Sequence, residues 1–235
     1  MRIAILMANT DESAFAERHP RDDEKFTSLM TLVRPDWSYP VFSVKDAEFP
    51  KADQMDGAII TGSPASVHDE AWWMIRLGAL VKEMYHTGIP VFGACFGHQL
   101  IARALGGQVG PNPQGWVKGV VTVEYADQSI AAYASHTEQV LDVPPGADAH
   151  ARAESCEIAG FRLGTLIETT QYHPEMTEDF FCALLEEYGP DLPADVVARA
   201  RASLSTTPSR ALWAEHIARF FEAHAKSMAT DPKAP

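Results

Sequence analysis

The chain has 235 residues, 46% of them hydrophobic and 22% charged, enough for one substantial α/β domain with a well-buried core and too few for two. A formal net charge of −13 repels polyanions over most of the surface, so nucleic acid and anionic membranes are not expected partners, and a small, locally recognised substrate is. No apolar run approaches the roughly 20 residues that span a bilayer, and Cys95, Cys156 and Cys182 are odd in number and lack a Cys-x-x-Cys pair, which argues against a disulfide framework or zinc site and for a soluble protein of the reducing cytoplasm.

Ile3 to Met7 runs directly into Asn9-Thr10-Asp11-Glu12 with no small-residue cleavage pattern, and reads as a buried strand rather than a signal peptide. Asp22 to Val33 is predicted as the first helix. Tyr39 to Val44, Ala58 to Thr61 and Ile89 to Phe92 read as further strands. Between them Trp72, Trp73, Leu77, Leu80, Val81 and Met84 recur at helical spacing over Glu70 to His86, where Gly88 supplies the stop. A third helix, His98 to Leu105, ends at Gly106-Gly107. Strands and helices alternate, so the expected core is a parallel sheet covered on both faces.

After Gly107 the pieces are short and broken by Gly, Pro and Asp: Val117 to Tyr125, Val140 to Val143, Ala149 to Ala153, Ile158 to Arg162 and Thr165 to Thr169. They predict antiparallel additions and therefore a mixed sheet. Glu178 to Tyr188 reads as a helix broken by Gly189-Pro190. Leu212, Trp213, His216, Ile217, Phe220, Phe221 and His224 mark one stripe of a helix from Ser209 to Ser227. That stripe is expected to pack on the same domain, with a dimer or partner contact as the alternative. Residues 1–190 are read as one domain and 191–235 as a helical extension, disordered from Thr230 to Pro235.

Val91-Phe92-Gly93-Ala94-Cys95-Phe96-Gly97-His98-Gln99 carries the strongest chemical signal. A buried strand enters a Gly-x-Cys-x-Gly turn and leaves as a helix, which lifts the apical side chain clear of the sheet. Glycines at 93 and 97 lack the Cβ atoms that would collide there. The positive end of the following helix favours a thiolate at Cys95, the form that acts as a nucleophile. A free cysteine is more commonly an inert buried thiol, so a base and an oxyanion hole are required beside it.

The base is found 78 positions later, in Tyr172-His173-Pro174-Glu175. The proline between His173 and Glu175 fixes φ and stiffens the segment, so the carboxylate can hold one imidazole nitrogen while the other faces the sulfur. The histidine would protonate departing ammonia and then activate water, with the glutamate fixing its tautomer. The Phe96 N–H is one expected oxyanion donor. The other is the Ser63 N–H, in the glycine turn Thr61-Gly62-Ser63-Pro64 that ends a strand. His98, His68 and the other histidines lack ligand spacing and read as structural or exposed, and no metal or cofactor is expected.

Gly93-Ala94-Cys95-Phe96-Gly97-His98-Gln99, Ser135-His136-Thr137-Glu138-Gln139-Val140 and Tyr172-His173-Pro174-Glu175, with Thr61-Gly62-Ser63-Pro64 before them, together resemble the class I (triad) glutamine amidotransferases, and in particular the glutaminase part of GMP synthase. The strings occur in that family's order and cover the chain from the first strand to about Tyr188. The resemblance implies a flavodoxin-like sandwich and a thioester at Cys95. It also implies that Gln99, Gly62 and the Ser135-His136 loop bind the substrate's amide, α-amino and α-carboxylate groups. Many relatives have glycine where this chain has Ser63, and nothing here resembles a synthetase domain. A partner protein that accepts the ammonia is therefore one expectation. Hydrolysis or transfer of γ-glutamyl bonds in peptides is the alternative, and a non-catalytic regulatory homologue a third.

Overall fold

The computed structural model of the protein describes residues 1–51, 54–125 and 128–230. The first half alternates strands β1 (Ile3–Met7), β2 (Val41–Ser43), β3 (Gly57–Ile60) and β4 (Val91–Ala94) with helices α1 (Ala14–Arg18), α2 (Asp22–Thr31), α3 (Trp72–His86) and α4 (Phe96–Ala104). Six strands follow: β5 (Gln108–Pro111), β6 (Val117–Tyr125), β7 (Gln128–His136), β8 (Glu138–Asp142), β9 (Asp148–Ala153) and β10 (Cys156–Leu163). The chain returns through β11 (Ile167–Thr170) and closes with α5 (Glu178–Tyr188), α6 (Ala194–Ser203) and α7 (Arg210–Thr230).

Nine strands form one mixed sheet in the order β2-β1-β3-β4-β11-β10-β9-β6-β7, with β5 and β8 paired separately. The five strands from β2 to β11 are parallel neighbours, and the pairings beyond β11 are antiparallel. Successive residues of a strand face opposite sides, and here both sides are covered. Ala4, Leu6, Ala58, Ile60 and Val91 pack with α3 and α4 on one face. Ile3, Ile5, Ile59 and Phe92 pack with Phe26 and Leu29 of α2 and with Ile217 and Phe221 of α7 on the other. Burial on both faces is why these strands read as unbroken apolar runs. Gly57 permits the close approach of α7, since a Cβ there would lie 2.7 Å from two ring atoms of Phe221.

Several expectations are corrected. The helix read from Glu70 begins at Trp72, because Glu70 sits at φ +52, a left-handed conformation that no helix can include. Trp72, assigned to its apolar stripe, is 57% exposed and meets Phe49 edge-on. The helix read from His98 starts two residues earlier, at Phe96. The sequence pattern does not mark strands β5 and β7 or helices α1 and α6; α1 has five residues and α6 is weakly apolar. In the α7 stripe Leu212 is exposed, whereas Trp213, Ile217 and Phe221 are fully buried. The predicted disordered end lies outside the described residues from position 231 onward. Among the described residues no helix is long and apolar enough to cross a membrane.

Candidate active site

Adjacent parallel strands β3, β4 and β11 end at the same edge of the sheet, and each hands its next residues to one cleft. Such an edge, outside the carboxyl ends of parallel strands, is where open α/β sheets bind ligands. Cys95 follows β4 directly and is the N-cap of α4, at φ +49 and ψ −104. An L-residue holds this conformation only under strain imposed by its surroundings. The constraints are visible on both sides. A Cβ on Gly97 would lie 2.4 Å from the Ile60 carbonyl oxygen, and one on Gly93 would lie 2.5 Å from Ile101 Cδ1 and 2.7 Å from the Gly97 carbonyl carbon. The Cys95 N–H donates to Thr170 O at 2.9 Å, which ties the elbow to β11. Cys95 is 6% exposed and lines the cleft.

Beyond β11 the chain turns through Gln171 to Glu175. The His173 N–H donates to Tyr133 O at 2.9 Å, so β7 fixes where the imidazole stands. Its Nδ1 lies 2.8 Å from Glu175 Oε1, and the ring lies beside Cys95, since a Cβ placed on Gly62 would be 3.0 Å from His173 Cε1 and 3.8 Å from Cys95 Cβ. Burial works against a charged ring, but the Cys95 and Glu175 charges outweigh it and raise the His173 pKa to about 10. Glu175 is 1% exposed, and its Oε2 has no partner among the described residues. Arg210, the first residue of α7, lies close enough for the Glu175 charge to act on it.

The turn after β3 supplies the opposing wall. Thr61 Oγ1 accepts from the Ala8 N–H at 2.9 Å and donates to the Gly62 carbonyl at 3.1 Å. Carbonyl and N–H point oppositely across a trans peptide, so this bond turns the Ser63 N–H away from Thr61. Phe96 opens α4, and the first N–H groups of a helix have no acceptor within it. Gly62 is pressed against the imidazole, since a Cβ there would sit 3.0 Å from His173 Cε1 and 3.8 Å from Cys95 Cβ.

Gln99 is 5% exposed and borders the cleft, but both hydrogens of its amide have protein acceptors, Glu138 O at 2.9 Å and Gln171 Oε1 at 3.2 Å. Only its oxygen remains for a ligand. Ser135 and His136 also line the cleft. They are not in a loop, as read from the sequence, but are the last two residues of β7. His136 Nδ1 lies 2.9 Å from Glu138 O, its Nε2 is buried without a partner among the described residues, and burial lowers its pKa to about 4. His98 is fully buried against Thr169 Oγ1 at 2.8 Å, outside the cleft lining, whereas His68 is exposed. Among the described residues no three His, Cys, Asp or Glu side chains are grouped to hold a metal.

Sequence reading missed Gln171, whose Nε2 donates to Cys95 Sγ across 3.7 Å, and Lys118, whose Nζ donates to Ser135 Oγ at 3.0 Å. Gln171 could have been suspected as a polar residue continuing the last apolar run toward His173. Lys118 carried no such signal.

A cysteine on a strand-to-helix elbow and a buried imidazole held by a carboxylate, all delivered to one cleft by the sheet, define an α/β protein of the cysteine-elbow class. A family model described as glutamine amidotransferase class-I matches residues 30–181, and the chain belongs to that family. A Saccharomyces cerevisiae relative assigned by name to the glutamine amidotransferases is 35% identical over 65% of this chain and 68% of its own. Gamma-glutamyl peptidase 3 of Arabidopsis thaliana is 25% identical over 94% of this chain and 96% of its own. A crystal structure of a glutamine amidotransferase from Methylobacillus flagellatus shares the fold, with a TM-score of 0.70, 22% identity, and coverage of 95% of this chain and 94% of that one.

Proposed function

We propose that this chain hydrolyses the γ-amide of glutamine through a thioester on Cys95. In that reaction the sulfur attacks the γ-carbon, and the oxygen that becomes negative is met by the Ser63 and Phe96 N–H groups. The carbon–nitrogen bond breaks as His173 donates its proton to departing ammonia. The neutral ring then takes a proton from water, which cleaves the thioester and releases glutamate. Glu175 holds the ring oriented and stabilises its charged form. The Gln99 oxygen, Gly62, Ser135 and His136 form the wall against which the substrate rests. The observation that carries this reading is the His173 ring, set beside Cys95 at the Gly62 turn and with Glu175 Oε1 2.8 Å from its Nδ1. Ammonia would pass to a separate acceptor protein in a reducing, cytoplasmic setting that suits three free cysteines.

A second reading, cleavage of γ-glutamyl bonds in larger compounds, is favoured by the size of the cleft. It encloses about 1740 Å³ and runs from Cys95 out to Asp11, Lys45 and Tyr188, beyond the roughly 300–1,000 Å³ typical of small-molecule sites. Both readings use the same thioester. Glutamine and a series of γ-glutamyl dipeptides assayed side by side, with Cys95→Ala as the control, separate them by kcat/KM. Absence of turnover with every γ-glutamyl compound, while Cys95 remains freely alkylated, would overturn both.

A further inference from the structure

The cleft wall is rich in carboxylates, including Asp11, Glu12, Asp22, Asp46, Glu48, Glu138 and Asp191. Most of its cations are matched to carboxylates in or beside the wall. Lys25 pairs with Asp22, Arg21 with Asp23 at 3.1 Å, and Lys45 with Glu12 at 2.7 Å and Asp46 at 3.0 Å. Lys118 differs. It sits on β6 in register with Ser135 of β7, half-buried in the same cleft wall, where its ammonium donates to the Ser135 hydroxyl and lies 5.7 Å from the centre of the Trp116 ring. Among the described residues no carboxylate pairs with it.

A charged ammonium withdrawn from water without a counter-ion is unfavourable. Burial alone pushes Lys118 down to about 8, with no neighbouring charge opposing the shift. A group so placed gains most when a ligand brings the missing negative charge. In an acidic cleft of an acidic protein, a ligand carboxylate is repelled almost everywhere else.

The side of the cleft narrows the choice. Lys118 lies against Ser135, two residues along β7 from Tyr133, whose carbonyl holds the His173 backbone. It therefore stands at the Cys95–His173 end rather than beside Asp11 or Tyr188. The carboxylate nearest the reacting carbon, and shared by glutamine and every γ-glutamyl compound, is the α-carboxylate. We infer that Lys118 is the cationic anchor for the α-carboxylate of the γ-glutamyl unit, with Ser135 Oγ orienting its ammonium. This deepens the reading of the site given above and rests on it.

The test pairs substrate and enzyme changes. Glutamine is compared with glutaminamide, in which the α-carboxylate is replaced by a neutral amide, on wild-type enzyme and on Lys118→Met and Lys118→Arg. Wild type should prefer glutamine by about 10- to 100-fold in kcat/KM, the scale of one charge-assisted hydrogen bond. Lys118→Met should lose that preference by a rise in KM for glutamine with kcat little changed, and Lys118→Arg should restore most of it. An unchanged preference in folded Lys118→Met would overturn the assignment while leaving the γ-glutamyl reading intact. So would a loss confined to γ-glutamyl peptides with a free rather than amidated C-terminus, which would place Lys118 on the leaving-group side. Wild-type enzyme that turns over no γ-amide would remove the assignment together with the reading on which it rests.

Discussion

The side-chain amide of Gln171 bridges sulfur and helix: its Nε2 donates to Cys95 Sγ across 3.7 Å and its Oε1 accepts from Gln99 at 3.2 Å. A donor aimed at the sulfur favours its charged state, and hydrogen bonds to charged groups are worth about 1.5–3 kcal/mol. Gln171→Leu should therefore slow alkylation of Cys95 by iodoacetamide at pH 7 by about tenfold. Gln171→Glu should slow it further by setting a carboxylate beside the sulfur. Rates equal to wild type in both folded variants would show that the contact does not influence the thiol.

Glu175 is expected to act through the ring it orients. In Glu175→Gln the amide can fill the same space but presents a donor or acceptor indifferently, so the imidazole loses both its fixed tautomer and the charge that helps keep it protonated. kcat for γ-amide hydrolysis should fall about a thousandfold or more, with KM within a few-fold. The sign of the pH effect follows from the raised His173 value of about 10. Acylation needs the proton on the ring, so the alkaline limb of kcat/KM should move to lower pH in the variant. A limb that stays in place would separate Glu175 from the titration of His173.

Gly62 and Gly97 offer a contrast between site and scaffold. A methyl on Gly62 would meet His173 Cε1 at 3.0 Å, whereas one on Gly97 would meet the Ile60 backbone oxygen at 2.4 Å. A ring can shift by a few tenths of an ångström, but a central strand cannot without disturbing its ladder. Gly62→Ala should lower kcat with a melting temperature near that of wild type. Gly97→Ala should lose about 1–3 kcal/mol or more of stability, measured by urea unfolding. Equal losses of stability in both would contradict the placement of Gly62 against the imidazole.

The parallel half of the fold was legible because strands buried on both faces write themselves as continuous apolar runs, and the elbow because its two glycines and apical cysteine are contiguous. The segment before β8 was harder. Gln128 to His136 mixes small and polar residues in a strand at one end of the sheet order, so neither apolar content nor strict alternation marks it, and Ser135-His136 reads as a loop. Helix α1 spans five residues and is set mainly by Ser13, whose hydroxyl accepts from the Ala16 N–H at 3.2 Å. Lys118 and Gln171 were invisible for a different reason. Their meaning depends on the β6–β7 register and on the turn after β11, neither of which is a local property of the chain.

Three histidines withdrawn from water, His98, His136 and His150, predict how the protein responds to acid. Burial lowers His98 and His150 to about 3 and His136 to about 4, whereas an unfolded histidine titrates near 6.5. Between these values the unfolded chain binds more protons, so stability rises with pH through this window, is fully present above about 6.5, and is lost as pH falls below it. Each ring can contribute a slope of about 1.4 kcal/mol per pH unit. Urea midpoints should drop steeply from pH 6.5 toward 4, and replacing His98 with Asn should flatten part of that drop. A midpoint independent of pH over this range would refute the assignment.

A buried carboxylate holds α7 to the strand that precedes His173. Glu168 of β11 is 1% exposed and receives the Tyr125 hydroxyl, Arg162 through Nε at 2.9 Å and Nη2 at 3.1 Å, and Nε2 of His216 from α7. Removing one partner of a buried ionic cluster leaves the others without compensation, typically at about 3–5 kcal/mol, whereas replacing the cluster with well-packed apolar groups can be neutral. Glu168→Leu alone should therefore lower the melting temperature by roughly 6–20 °C, taking about 2–4 °C per kcal/mol for a chain of this size. Adding His216→Leu and Arg162→Leu should recover much of it. None of these side chains lines the cleft, so kcat measured well below the transition should change little in the triple variant. A triple variant less stable than Glu168→Leu would mean that His216 and Arg162 stabilise the junction by contacts other than the shared carboxylate.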